Sequence, residues 1–390
     1  MTFKLFFYKL LRHIAIVLIT IIGMVSFFNL TLNISFLNPI ARSLEDFYIS
    51  DVFYEIENDF TAPDTSQIIT IVDMSELYRR RDIAQCIKKI ERFSPKVLGV
   101  DILFENYKED VVGDEQLCEA VAQNEKMVFA FEIPDALESN PTADEIHSFF
   151  TNSIPVTEGF INLKRNRYGG TKRYVTIGMS SEKKQRFSFP AAVANMYVGR
   201  ELVKYEEKDI PINYSHTVFK HIPYDSINYY TNYIKDRIVL LGATADRTDI
   251  HYTPIGKRAG VEVLAFSIDS LLQNEKKKEP SGWLLMLITF VFVFLAQVVQ
   301  DGYVRRIKNM KHEILRDLLG SSFVIMVLTF VLMTLLVWFA YFLFIKANLS
   351  INLGLTLSSI AIIGTVRMFY DIIIKGLSKV KLPKLTKQKK

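Results

Sequence analysis

The sequence predicts an α/β domain, built on a parallel or mixed sheet flanked by helices, together with four transmembrane α-helices. Three observations carry this expectation. Four apolar runs, one before and three after the polar region 42–280, are long enough to cross a hydrocarbon core of about 30 Å. Inside that region short apolar runs alternate with segments of helical periodicity, the order that builds a parallel sheet with helices on its faces. The third is the stretch Asp236–Leu272, which reads as a buried strand, a polar loop and a helix. Its apolar run Ile238–Leu241 is closed by Gly242, and Val261, Leu264, Ala265, Ile268, Leu271 and Leu272 repeat at helical spacing.

Composition narrows the classes. With 390 residues, 49% hydrophobic and 13% aromatic, the chain can bury a full core and still supply membrane spans. A net charge of +5, concentrated near the membrane segments, argues against nucleic-acid binding. Two cysteines, Cys86 and Cys118, are too few for a disulfide scaffold or a Cys-rich zinc site. Both follow successive predicted strands, but the geometry of a disulfide is demanding, and free thiols are the expectation.

Residues 1–13 carry Lys4, Lys9 and Arg12 ahead of the first span, 14–37, which contains no charged residue. The run is too long for a signal peptide and no small-residue cleavage pattern follows, so an uncleaved anchor is expected. The other spans are 283–299, 321–345 and 349–366. The intervening segment 300–320 holds Arg305, Arg306, Lys308, Lys311 and Arg316, whereas the turn before the last span has only Lys346. The positive-inside rule places 300–320, the N-terminus and the basic tail 367–390 in the cytoplasm, and therefore residues 42–280 outside it. Lys276, Lys277 and Lys278 oppose this assignment, but long domains translocate largely regardless of charge. The tail has the character of a segment lying on anionic lipid.

Within 42–280, Arg42–Phe60 reads as a stalk or first helix. Ile68–Val72, ending in Asp73, reads as a core strand, and Ile83, Ala84, Ile87 and Ile90 mark a crossover helix. Lys96–Phe104 forms a second strand with Asp101 in its middle, Asp114 caps a short helix reaching Ala122, and Met127–Phe131 is a third strand. Residues 134–154 look like an insertion or lid. Gly159–Leu163 and Arg173–Met179 suit a hairpin joined through Tyr168-Gly169-Gly170, and Pro190–Tyr197 a helix. Residues 201–235 are Tyr-rich, with a weak strand hint at Ile212-Asn213-Tyr214.

These residues resemble the CHASE domain of type 2, an extracytoplasmic sensor family associated with cyclases and histidine kinases. The matching pieces are LGVDILF at Leu98–Phe104, Asp114 with Leu117, FSFPAAVA at Phe187–Ala194, and DRIVLLGATA followed by TPIG and GVEV. Where the family often has His-Ala after the GVE element, this chain has Leu264-Ala265. The resemblance implies one span before the sensor domain and about three after it, and usually a cytoplasmic effector beyond the last. No nucleotide-binding loop, phospho-acceptor histidine or cyclase-like metal motif fits in 367–390. A separate cytoplasmic effector is therefore the expected partner, with membrane lipid, an unknown small signal molecule and a second copy of the chain as the others.

Candidate ligand-binding residues are Asp73, Asp101, Asp249, His251, Thr253 and Glu262. Asp73 and Asp101 are expected near the carboxyl ends of adjacent parallel strands, where open α/β sheets place binding crevices. They would bind a cation or cationic ligand there, or else cap backbone N–H groups. Asp249, His251 and Thr253 belong to the polar loop Ala243–Gly260, with Thr253-Pro254 fixing a turn. Glu262 lies in the first turn of the following helix, beside the positive end of its dipole. His216 and His221 are weak metal ligands by spacing, and no hydrolase triad or His-Glu-x-x-His is present, so neither catalysis, a cofactor nor a metal is expected. The reading is a bacterial inner-membrane receptor; a structural subunit with a protein-binding outer platform is the alternative. The topology has a direct test: reporter fusions after Arg42 and Gln273 are expected to read outside and those at Lys311 and Lys390 cytoplasmic. An outside signal at Lys311 would reject the four-span arrangement.

Overall fold

The computed structural model describes residues 3–33, 48–134, 145–162, 170–181, 184–273 and 277–379. The chain divides into two compact units, Ser50–Lys278 and the pair Met1–Ile49 with Glu279–Lys390. The latter begins with helix α1 (Phe3–Asn33). Tyr168, Gly169, Lys276, part of the 134–154 insertion and the end of the basic tail lie outside the described residues.

The first unit opens with α2 (Ile49–Phe60), which buries Phe53 and Tyr54. Strands β1 (Asp64–Asp73), β2 (Val97–Val100) and β3 (Met127–Phe131) follow, separated by α3 (Arg80–Glu91) and α4 (Val111–Ala122). Next come β4 (Thr157–Phe160), β5 (Tyr174–Thr176), β6 (Gly178–Ser181), β7 (Lys184–Phe187) and α5 (Phe189–Val198). The unit ends with β8 (Asp209–Pro211), β9 (Thr217–Pro223), β10 (Ile238–Gly242), the pair β11 (Ile250–Thr253) and β12 (Gly256–Ala259), and α6 (Gly260–Leu272). Six strands form one sheet in the order β4-β3-β2-β10-β1-β9, and every pairing in it is parallel. A fully parallel sheet needs apolar strands covered on both faces, and β10, β2 and β3 are buried throughout.

The two faces divide by strand alternation. Val72, Leu98, Val100, Phe129, Val239 and Leu241 meet Ile83, Ile87, Ile90 and Leu117 in one cluster, so α3 and α4 cover that face. Each such side chain contributes about 1.5–3 kcal/mol when fully buried. On the opposite face α5 comes in closely: a Cβ on Gly99 would lie 2.8 Å from Leu240 and 2.9 Å from the Phe189 ring. A Cβ on Gly159 would fall 2.4 Å from the Phe189 Cα, against backbone.

Five sequence expectations are corrected. Strand β2 stops at Val100, so Asp101 lies just past its end. Asp73 and Asp101 do not end adjacent strands, because β10 runs between β1 and β2. Asp110, not Asp114, caps α4 by accepting the Gly113 N–H at 3.2 Å. Asp114 is instead buried against Arg80 at 2.5 Å and accepts the Lys108 N–H at 2.8 Å. The hairpin is absent: β4 joins the main sheet beside β3, and β5 pairs antiparallel with β8. Local turn chemistry suited a hairpin, but the edge of β3 offered β4 a ladder with both faces covered. Residues 212–214 are not a strand. Tyr214 is wholly buried and its hydroxyl donates to Lys172 O at 2.7 Å. Cys86 and Cys118 are free thiols, and burial pushes the Cys86 thiol up to about 12.

The second unit continues with α7 (Gly282–Lys308), α8 (Glu313–Leu319), α9 (Ser322–Lys346) and α10 (Gly354–Lys379). With α1, helices α7, α9 and α10 are long and apolar enough to cross a membrane. Arg12 donates to Asp371 at 2.8–3.1 Å and to Asp301 at 3.0 Å, and Arg367 donates to Asp301 at 2.5 Å. Thr289 and Thr356 share a buried hydrogen bond at 2.8 Å.

The close approach at Gly159 gives a stability prediction. Gly159→Ala is expected to destabilise the α/β unit by about 1–3 kcal/mol, the usual cost of overpacking, because backbone cannot rotate away. Urea unfolding of the full chain followed by Trp-independent circular dichroism checks it; an unchanged midpoint would show that α5 yields.

Candidate functional site

The carboxyl ends of β2, β10 and β1 deliver Asp101, Gly242 and Asp73 side by side. Gly242 is closely packed, since a Cβ there would lie 2.8 Å from Val261 of α6 and 3.4 Å from the Asp101 Cβ. The start of α6 and the turn after β2 thus converge over the end of the central strand. The same helix start meets the polar loop. A Cβ on Gly260 would fall 2.2 and 2.6 Å from the Asp249 carboxylate oxygens, so the absent side chain is what admits Asp249. A carboxylate in that place is favoured by the N-terminal end of the helix dipole.

The candidate residues separate by how they are satisfied. Asp73 accepts the Ser75 N–H at 3.0 Å, its hydroxyl at 2.5 Å and the Thr244 N–H at 3.1 Å. Burial alone would raise its pKa, but these bonds from Ser75 and Thr244 outweigh it and hold the group below the usual carboxylate range. Ser75 also accepts from the N–H groups of Thr244 and Ala245 at 3.0 and 2.9 Å, pinning the loop after β10 to the end of β1. Thr253 is spent on its own turn, donating to Gly256 O at 2.6 Å, with Gly256 at a φ of 93° that suits glycine. Glu262 reaches back to the Ala259 N–H at 3.0 Å and faces His221 at 3.5 Å. Burial would raise the Glu262 pKa, yet the His221 and Ala259 contacts bring it below its ordinary value.

Asp101 differs from all of these. Among the described residues no donor reaches its carboxyl, although its backbone N–H is paired with Leu241 O at 2.9 Å. Burial first, and the nearby Asp249 carboxylate second, push its pKa up to about 7. Asp249 in turn meets His251 Nε2 at 2.9 Å. The structure therefore brings together Asp101, Asp249 and His251 at the start of α6, leaves Asp73 and Glu262 beside them as capping groups, and commits Thr253 to the hairpin. Among the described residues no three His, Cys, Asp or Glu side chains converge as a metal site requires, and His216 and His221 do not form one.

Sequence reasoning missed Ser75 and Gly260. The Asp-x-Ser spacing at 73–75 is the signal for a side-chain turn, whereas nothing local marks Gly260 as the seat of a carboxylate 11 residues away in the chain. A groove of about 650 Å³ lies elsewhere, along α4, lined by Tyr107, Val111, Glu115, Cys118, Glu119 and Ile154.

The raised Asp101 pKa fixes a sign. Between about pH 4, where an unfolded Asp titrates, and pH 7 the folded chain holds the extra proton, so this residue makes stability fall as pH rises through that window. Asp101→Asn is expected to raise the melting temperature at pH 8, leave it nearly unchanged at pH 4, and flatten the profile between. Parallel wild-type and variant slopes in thermal melts would refute the assignment.

Compared with models of protein families, residues 16–299 match the CHASE2 domain. No curated protein and no solved structure matches the chain.

Proposed function

Because the chain belongs to the CHASE2 family of extracellular sensory domains, we propose that it is a bacterial inner-membrane receptor whose crevice over β10 binds a small cationic signal. One observation carries this reading: Asp101 is a half-buried carboxyl that no donor reaches among the described residues, close to the Asp249 carboxylate at a helix start. A bound ammonium or guanidinium group would supply the missing donors and positive charge, and the carboxyl would release its proton on binding. Asp249 and His251 complete the pocket, and Asp73 with Ser75 holds the loop that frames it.

Relay follows from chain order. The crevice lies at the start of α6, and a short linker joins α6 to α7. A ligand moves this path only by its differential affinity for two states. In the membrane unit, Asp301 of α7 is bonded to Arg12 of α1 and Arg367 of α10, so a displacement of α7 would be shared by three helices. The basic residues Arg305, Arg306 and Lys308 at the end of α7, and the segment that follows α10, are the surfaces offered to a separate cytoplasmic effector.

A second reading, an outer platform for another protein, draws on the α4 groove. Tyr107 and Val111 are 70% and 61% exposed there, an apolar surface of the kind that marks association.

The signal reading is tested by thermal shift of the full chain in nanodiscs against putrescine, spermidine, arginine, Mg²⁺ and Ca²⁺. At least one amine is expected to raise the melting temperature by several degrees at tenfold excess over its Kd, equivalent to about 1.4 kcal/mol. Asp249→Ala is expected to abolish that shift. No response from any of these compounds, or an equal response in the variant, would move the function to the platform.

A further inference from the structure

Outside the crevice, one cluster joins four pieces of the α/β unit. The strap Glu145–Ile154 crosses β3, held by paired backbone bonds between Ile146 and Glu132 at 2.8 and 3.1 Å. It plugs Phe150 into the core against Phe129 and Phe104, with ring centroids at 5.1 and 6.0 Å. Just before this plug, His147 stacks on Phe131 of β3 at 4.9 Å. Its Nδ1 lies 2.9 and 3.0 Å from the Glu158 carboxylate oxygens of β4, and its Nε2 lies 3.0 Å from Glu145 Oε2. Glu145, only 3% exposed, also receives Arg186 of β7 and a bond from Ser181 of β6. Glu132, next to Phe131 on the strand, is exposed.

The geometry counts protons. A neutral imidazole carries one N–H, and its other nitrogen is a lone pair. Here both nitrogens face carboxylates, so a neutral ring would turn a lone pair toward an anion and leave two carboxylates against one guanidinium. The imidazolium donates twice and balances the cluster, two charges of each sign. We propose that His147 is a proton-operated latch: its protonated form docks the strap across β3 and β4, and loss of that proton releases it. The bonds from Glu158 raise the His147 pKa most, burial opposes them, and Glu145 adds to the rise. The sign is that of a raised histidine: docking is complete below the unfolded value of about 6.5 and is lost as pH climbs through the higher folded value.

Release would reach the crevice. Phe104 receives the Phe149 N–H on its carbonyl at 2.8 Å and gives its own N–H to Ser148 Oγ at 3.2 Å, and it ends the turn that begins at Asp101. The latch itself does not depend on what the crevice binds.

Hydrogen exchange of the full chain in nanodiscs, from pH 5 to 9 and corrected for intrinsic exchange, tests it. Amides of Ile146 and Phe149 are expected to lose at least tenfold protection across the range while those of β10 do not. Glu158→Gln should move the midpoint to lower pH, and His147→Gln should show the unprotected strap at every pH. Strap protection independent of pH in the wild type, or a profile unchanged by Glu158→Gln, would overturn the latch, and these two measurements suffice if His147→Gln fails to fold.

Discussion

The structure depends on the central position of β10. Strands β1 and β2 are laid down early, but they do not touch; the space between them is filled by a strand from the far end of the unit. Its five residues are all buried, and its neighbours on both sides are held in register by parallel ladders. Until β10 inserts, neither half of the sheet has its inner edge satisfied, and unpaired buried N–H and C=O groups are costly. The last strand of the sheet in chain order is therefore the one that closes it. Its continuation, the polar loop and α6, is consequently fixed to the most rigid element available.

That placement explains why identical residues end in different chemical states. Asp73 and Asp101 both follow a strand by at most one residue and both lie near Gly242. Asp73 has Ser75 two residues on, and the Ser75 hydroxyl and the Thr244 N–H satisfy it, so it stays ionised. Asp101 is followed by Ile102 and Leu103, which offer no hydroxyl, and the start of α6 packs nearby without presenting it a donor. Its half-buried carboxyl is pushed toward the protonated form by burial and by the nearby Asp249 carboxylate. The two aspartates thus differ in what satisfies them, hydrogen bonds for Asp73 and none from a described residue for Asp101.

What could be read from the chain follows from range. Apolar runs and helical periodicity are local, and they indicated β1, β3, β10, α3, α5 and α6 together with the four long apolar helices. Pairing is not local. That β10 would separate β1 from β2, or that β4 would leave its hairpin for the edge of β3, is decided by which edges remain open after collapse. Asp114 was read as a cap because an acid at a helix start usually is one. The Arg80 beneath it, 34 positions earlier, stacks on Phe149 at 4.5 Å and claims that carboxylate instead. In the same way Asp101, Asp249, His251 and Glu262 were identifiable as polar groups in a loop-rich region, whereas their division into satisfied and unsatisfied groups needed the distances.

The membrane unit applies the same logic to charge. Asp301, whose side chain is 10% exposed, is paired with Arg12, Arg367 and, at 3.5 Å, Arg305, and Arg12 also reaches Asp371. Burying such groups is expensive, and buried ion pairs seldom repay their desolvation in net stability. What they do specify is register, because a helix that slides by one turn loses its partner and strands a charge. Helices α1, α7 and α10 are tied in this way, whereas α9 carries no charged side chain before Lys346 and meets α7 through the uncharged Gln300–Thr329 bond at 2.9 Å. Apolar contacts against α9 change little when a helix shifts slightly along its axis, since lipid and Leu are equivalent neighbours. Three helices are therefore joined to one another through charge, whereas α9 is held by apolar contact and an uncharged bond.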